Sequence, residues 1–417
     1  MNQSRRIVIT GLGTINPLGN NVTDYFENLE KGVSGAGLIT HFDASLFRTK
    51  IACEVKNFDP TLYLEHKDVR KYDRYGLFTM AAAIQAVEDA AISDDVNRER
   101  CGVIWGSGIG GVQTFHDESV GWVEGNRIPR YSPYFIPRMI SDVVGGMVSV
   151  RYGFMGPNYT VTSACSSSNH AIIDAMNTIR MGNADLIVTG GAEAPICIPS
   201  VGGFSSMMAL SSRNDDPEHA SRPFDKNRDG FVLAEGAGAL VIEELEHALK
   251  RGARIYCELL GGGMSADAYH MTAPHPEGKG AILSMENALR DAGISHTQVD
   301  YLNAHGTSTP LGDLAELKAV CKLFGEHVYK MNISSTKSMT GHLLGGTAAI
   351  EALACVMAIM KGIVPPTINV EQLDDKIDPR LNLTLSKAQY RTVDIAMSNT
   401  FGFGGHNSTI ILGKFKS

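Results

Sequence analysis

Short runs of β-branched and apolar residues alternate along the chain with longer, alanine-rich stretches whose apolar positions recur every three or four residues. The short runs predict strands at Arg6–Thr10, Gly102–Trp105, Leu186–Thr189, Ala239–Ile242, Tyr256–Leu260, Tyr301–Asn303, Ile333–Ser335, Asp394–Met397 and Ser408–Leu412. The longer stretches predict helices at Tyr75–Ala91, Ser167–Met181, Gly280–Ala292, Asp313–Phe324 and Thr347–Lys361. Such alternation predicts an α/β protein in which helices cover mixed sheets.

The order of elements repeats. Arg6-Ile-Val-Ile-Thr-Gly-Leu-Gly opens one series and Arg254-Ile-Tyr-Cys-Glu-Leu-Leu-Gly-Gly-Gly opens another. Each continues through an alanine-rich helix, a strand ending in glycine and a small-residue turn before a buried helix. The turns are Thr162-Ser-Ala-Cys-Ser and Ser335-Thr-Lys-Ser-Met-Thr-Gly-His. This pattern reads as an internal duplication with a period of about 250 residues, dividing the chain into residues 1–253 and 254–417. Ligands collect at the carboxyl ends of strands in open α/β sheets. Cys165, His305 and His342 all fall at predicted strand-to-helix turns.

Composition narrows the function. Hydrophobic residues at 43% and charged residues at 20% describe a globular chain with ample core, and a net charge of −8 argues against nucleic-acid binding. The polar, basic Met1–Arg6 leads straight into a strand, so no signal peptide is expected, and no uninterrupted apolar run predicts a membrane span. Seven scattered cysteines without a Cys-x-x-Cys pair read as reduced thiols in a cytoplasmic protein, with no disulfide framework and no zinc site.

Cys165 stands out among them because small residues surround it and a helical pattern starts just after it. A thiol at a helix N-terminus is expected to have a lowered pKa and to act as a nucleophile. His305, in Asn-Ala-His-Gly-Thr-Ser-Thr, and His342, in Thr-Gly-His-Leu-Leu-Gly-Gly, can donate two N–H bonds to one thioester carbonyl as it becomes an enolate. Lys337 reads as either a catalytic cation or a structural partner of Glu316, with the second favoured. Gly106-Ser-Gly108-Ile-Gly-Gly111 resembles a dinucleotide loop but lacks a clear helix opening and a ribose-binding acid. Asp225-Lys-Asn227-Arg-Asp229-Gly230 resembles a calcium loop, but its glutamate, Glu235, comes one residue early.

Taken together, Cys165 in its turn, the His305 and His342 motifs, Lys337 and Asn399-Thr-Phe401-Gly-Phe403-Gly-Gly resemble the elongating β-ketoacyl-acyl-carrier-protein synthases over essentially the whole chain. The resemblance implies a thiolase-like, duplicated αβαβα five-layer fold and a homodimer. It implies that Cys165 accepts an acyl chain from acyl carrier protein, and that His305 and His342 promote decarboxylation of a malonyl thioester. Backbone N–H groups of Cys165 and Phe403 would form the oxyanion hole, and Phe403 would also gate acyl entry, with Phe401 beside it. Thr307 and Thr309 would bind the phosphopantetheine arm, which arrives on the carrier protein, so no cofactor of the enzyme's own is expected. Ile109 would line the acyl pocket, with Tyr134 or Phe135 reaching it from a partner subunit. Asn303, Glu351, Ser398 and Asn399 match positions that hold a structural monovalent cation in some members.

Two departures from the resembled pattern stand near the entrance. His406 replaces a common threonine, and Met208 replaces an arginine, which leaves carrier-protein docking to Lys67, Arg70 and Lys71, with Arg127 or Arg130 as further candidates. A thiolase would carry a second cysteine as base, a chain-length partner would lack Cys165, and a priming synthase would use a Cys-His-Asn set. A polyketide-type ketosynthase or a synthase with another chain-length preference fits the same motifs.

Overall fold

A computed structural model describes residues 5–416. Ten strands form one mixed sheet: β1 (Ile7–Ile15), β2 (Cys101–Gly106), β3 (Asn158–Val161), β4 (Leu186–Glu193), β5 (Gly236–Glu244), β6 (Cys257–Ala266), β7 (Tyr301–Asn303), β8 (Asn332–Ser334), β9 (Ile395–Gly402) and β10 (His406–Gly413). Across the sheet they run β8-β7-β9-β10-β6-β1-β5-β4-β2-β3. Outward from the middle, one series is β1-β5-β4-β2-β3 and the other is β6-β10-β9-β7-β8. Each strand of the second series is the fifth after its counterpart, so the two series share one topology. They join where β1 and β6 pair antiparallel, Val8 opposite Glu258 and Ile9 opposite Cys257.

The predicted helices form as α1 (Arg74–Asp89), α2 (Ser167–Arg180), α3 (Lys279–Ala292), α4 (Pro310–Phe324) and α5 (Thr347–Lys361). Helix α1 covers the outer face of the first series, and α3 and α4 cover that of the second. Between the two series lie α2 and α5, whose side chains share a core with Ile9, Ile187, Leu240, Leu259 and Ile410. These are the five layers of the αβαβα architecture. Helix α5 is buried from Thr347 to Ile359. The segment Leu344–Lys361 is long and apolar enough to cross a membrane, and 89% of it is buried inside the protein.

Both opening strands extend past the glycines that end their predicted runs. A Cβ on Gly11 would sit 2.1 Å from the Ala86 carbonyl of α1, and one on Gly263 would sit 2.1 Å from the Ser284 carbonyl of α3. Glycine here allows strand and helix backbones to touch in the opening strand of each series. Strand β3 is absent from the sequence reading. It is short and polar, with Asn158 and Tyr159 exposed at the sheet's edge.

Candidate active site

Cys165 lies two residues before α2, in a turn where Ala164 takes a φ of +51°. For a residue with a Cβ that conformation costs of order 1–3 kcal/mol and persists only where surrounding bonds impose it. They are present: Ser167 Oγ donates to the Ala164 carbonyl at 2.6 Å and accepts from the Ser163 N–H at 2.9 Å. Ser166 Oγ reaches the His406 carbonyl at 2.9 Å and the Thr400 carbonyl at 3.1 Å, tying the turn to the hairpin of β9 and β10.

The thiol is not acidified as the sequence predicts. Burial pushes it up to about 12, outweighing Lys337 and the backbone N–H groups of Phe403 and Cys165, which favour the thiolate. The helix contributes too little because Cys165 is buried, 8% exposed, and lies ahead of its first turn. A group able to take the thiol proton lies beside it. His342 Nε2 is 3.0 Å from Cys165 Sγ, and its Nδ1 is 2.9 Å from Thr347 Oγ1 at the start of α5. A hydroxyl both donates and accepts, so either imidazole tautomer is satisfied. The Val232 carbonyl and the Ala234 N–H bracket the His342 backbone at 2.8 and 3.0 Å.

His305 follows β7, its ring 5.4 Å from that of His342 and nearly perpendicular to it. Its Nδ1 is buried with no hydrogen-bond partner. Burial, then the Lys337 charge, holds both imidazoles well below the usual histidine range, so both are neutral at pH 7. Lys337 pairs with Glu351, Nζ to Oε1 at 2.5 Å, not with Glu316 as favoured from sequence. Glu316 instead accepts the backbone N–H groups of His305 and Gly306 at 2.9 and 2.8 Å. Both carboxylates lie near the lysine, and the chain order alone does not say which one its ammonium reaches.

A cavity of about 520 Å³ brings Cys165, His305, His342, Phe403, Phe401, Thr307, Thr309 and Ile109 together. The two threonine hydroxyls lie 3.0 Å apart on one side, and Met208 lines the rim, 71% exposed. Lys337 sits behind the histidines. Tyr134 and Phe135 do not line this cavity in their own chain; Phe135 stacks on Tyr131 and Phe115. Lys67, Arg70 and Lys71 surround the short helix His66–Val69, where Lys67 pairs with Glu65 and Lys71 with Asp68. Both pairings are local and solvent-exposed, hence weak.

Asn303 Oδ1, Glu351 Oε2 and Ser398 Oγ are buried without partners. Asn399 is already engaged, donating to Glu316 and accepting from Thr409. Among the described residues, no group of three or more His, Cys, Asp or Glu is arranged to hold a metal. The glycine loop after β2 gives its N–H groups to the buried carboxylate of Glu193, which sequence reasoning missed inside a strand. The acids of the other look-alike loop diverge: Asp225 caps the backbone of Asn227, Glu371 and Gln372, while Glu235 binds Arg74 and His41.

Comparison with known proteins agrees with this geometry. The Beta-ketoacyl synthase N-terminal domain matches residues 4–248, and the Beta-ketoacyl synthase C-terminal domain matches residues 256–371. The 3-oxoacyl-[acyl-carrier-protein] synthase 2 of Coxiella burnetii is 49% identical, covering 99% of each chain, and that of Synechocystis sp. is 46% identical over the same shares. Among solved structures, the ishigamide ketosynthase/chain length factor superposes with a TM-score of 0.93 at 34% identity, covering 99% of this chain and 100% of that one. A beta-ketoacyl synthase from Burkholderia phymatum gives 0.91 at 33%, with the same coverage. The chain belongs to the β-ketoacyl synthase family.

Proposed function

We propose that the enzyme elongates acyl chains by two carbons through decarboxylative condensation, with Cys165 as the acyl carrier and the two histidines as activators of the malonyl unit. In the first half-reaction the Cys165 sulfur attacks the acyl thioester of acyl carrier protein. The thiol proton passes by way of His342 Nε2 to the departing pantetheine sulfur, which leaves as a thiol. N–H groups of Cys165 and Phe403 hold the oxyanion that forms in between. In the second, His305 and His342 donate N–H bonds to the malonyl thioester carbonyl. Loss of carbon dioxide leaves an enolate whose carbon attacks the acyl-enzyme, releasing the Cys165 thiolate, which is reprotonated. Neutral imidazoles suit this role because the carbonyl oxygen gains charge without taking a proton. One observation carries the reading: Cys165 Sγ lies 3.0 Å from His342 Nε2, and the His305 ring completes the same cavity.

The phosphopantetheine arm would pass Thr307 and Thr309, and Lys67, Arg70 and Lys71 would receive the acidic carrier protein. One of the solved relatives is a type II PKS acyl-carrier protein in complex with its ketosynthase, 31% identical at a TM-score of 0.88. The two halves, 1–253 and 254–417, would supply nucleophile and histidines respectively. A homodimer agrees with the exposed edge of β3 and with the exposed apolar residues Phe115, Trp122, Ile128, Tyr131 and Ile136. In such a dimer Tyr134 or Phe135 would approach the partner's pocket. Three unpartnered buried oxygens support a structural monovalent cation at Asn303, Glu351 and Ser398. Seven free cysteines agree with a cytoplasmic setting, and the phosphopantetheine would arrive on the carrier protein.

Purified enzyme supplied with acyl- and malonyl-carrier protein is expected to release one carbon dioxide per product and to form a β-ketoacyl chain two carbons longer. A polyketide-type ketosynthase is the second reading, since the ishigamide ketosynthase/chain length factor and a type II PKS ketosynthase are among the similar solved structures, at 34% and 31% identity. That reading requires several unreduced extensions of one chain in the same assay, and a single extension would reject it.

A further inference from the structure

The Gly106–Gly111 loop forms a nest of backbone N–H groups, the geometry that elsewhere cradles phosphate. Here the protein fills it with its own carboxylate. Glu193, at the end of β4 and fully buried, accepts from the N–H groups of Gly108 (2.7 Å), Ile109 (3.0 Å) and Gly110 (3.3 Å), and from Ser107 Oγ (3.1 Å). Its fifth donor comes from the other half of the molecule: the N–H of Gly345, three residues past His342, at 3.0 Å. The fit is close. A Cβ on Gly345 would meet the Gly108 nitrogen at 2.4 Å and Glu193 Oε2 at 2.7 Å. The Ser107–Gly110 loop carries Ile109 into the cavity, so the direction of that side chain is set by a carboxylate that touches no substrate.

We propose that Glu193 is a positioning residue that sets the acyl length the enzyme accepts, by fixing the Ile109 loop against the His342 loop. The inference rests on the reading of Ile109 as a wall of the acyl pocket. Only an ionised carboxylate satisfies all five donors. The amide of Glu193→Gln keeps the shape but turns N–H groups toward backbone N–H groups, which releases the loop.

The test is the ratio of kcat/KM for the preferred acyl-carrier protein to that for one two carbons longer. This ratio cancels any loss of active enzyme and so ignores a merely structural defect. It is expected to fall at least about tenfold in Glu193→Gln, within the range that one or two methylenes in an apolar pocket are worth. Ser107→Ala removes one donor, together with the acceptor of the Gly110 N–H at 3.2 Å, and is expected to move the ratio the same way by about two- to threefold. It decides the matter if the glutamine variant does not fold. Ile109→Phe, expected to shorten the longest accepted chain, is the control. If Ile109→Phe shifts the profile while the Glu193 and Ser107 variants only slow every chain length equally, the inference is overturned. If Ile109→Phe leaves the profile unmoved, the pocket reading fails and the inference falls with it.

Discussion

The turn before α2 and the turn before α5 hold equivalent places in the two series of strands, yet their surroundings differ in kind. Around Cys165 stand serines, an alanine and backbone, and the cost is conformational, held in the φ of Ala164. The turn before α5 carries a like strain at Leu344, with a φ of +46°, and adds Lys337, Glu351 and Glu316 around His342 and His305, all buried, so there the cost is electrostatic as well. Duplication supplies two similar strand-to-helix turns facing a shared cavity. One is uncharged and presents the Cys165 sulfur to the cavity. The other is charged and keeps two imidazoles neutral beside a buried cation. The proposed condensation would use both, since a sulfur must store the acyl group while a different group polarises the malonyl carbonyl.

The sharpest way to break this division is Cys165→Ala. Condensation should fall by on the order of 10⁴-fold or more, since a covalent carrier cannot be replaced by its neighbours. Release of carbon dioxide from malonyl-carrier protein should persist, because the second turn is intact. Loss of decarboxylation together with condensation in a folded variant would mean the two turns do not divide the work.

The charged turn should yield next, through Lys337. Lys337→Met leaves Glu351 buried without its counter-ion, which costs about 3–5 kcal/mol of stability. Chemical denaturation measures it. The double variant Lys337→Met, Glu351→Gln should recover most of that loss, because no lone charge remains. If the double variant is no more stable than the single one, the ion pair is not what balances the lysine. No counterpart of this experiment exists at the Cys165 turn, where no ion pair is broken by any substitution of the small residues.

Most of the fold was legible because it is written in periodicity. Helix α5 begins and ends at the residues the pattern marks, and eight of the ten strands start within two residues of their prediction or on it. What escaped has a physical reason. Strand β3 has no buried face to impose alternation, and the helix Val112–Glu124 leaves Phe115, Val123 and Trp122 exposed in the single chain, so its apolar residues trace no inward stripe. Cys165, His305 and His342 were readable from residue type and turn position. The thiol's raised pKa was not, because burial depends on the hairpin of β9 and β10 closing over the turn. Nor was the partner of Lys337, or Glu193, whose donors lie more than 80 residues before it and 152 after it.

The smallest expected effect separates the two turns by their response to pH. At the first, a thiol pushed up to about 12 is almost entirely protonated at neutral pH, so its thiolate fraction grows about tenfold per pH unit. Alkylation by iodoacetamide should therefore keep rising from pH 7 to pH 9 with no plateau. At the second, the direction is opposite. A base held below its ordinary value of about 6.5 stays neutral as the pH falls past that value. The N–H donors of His305 and His342 should therefore keep their form between pH 7.5 and pH 6. In Cys165→Ala, where the thiol no longer contributes, kcat for decarboxylation should change less than about twofold across that range. Burial pushes the Glu316 and Glu351 carboxyls up to about 7, so a decline centred near pH 6.5 that persists in Glu316→Gln and in Glu351→Gln would show that an imidazole titrates there and that burial beside Lys337 does not hold it neutral. A plateau in alkylation below pH 9 would show that His342 already holds the thiol proton before substrate arrives, and the two turns would then share one charge.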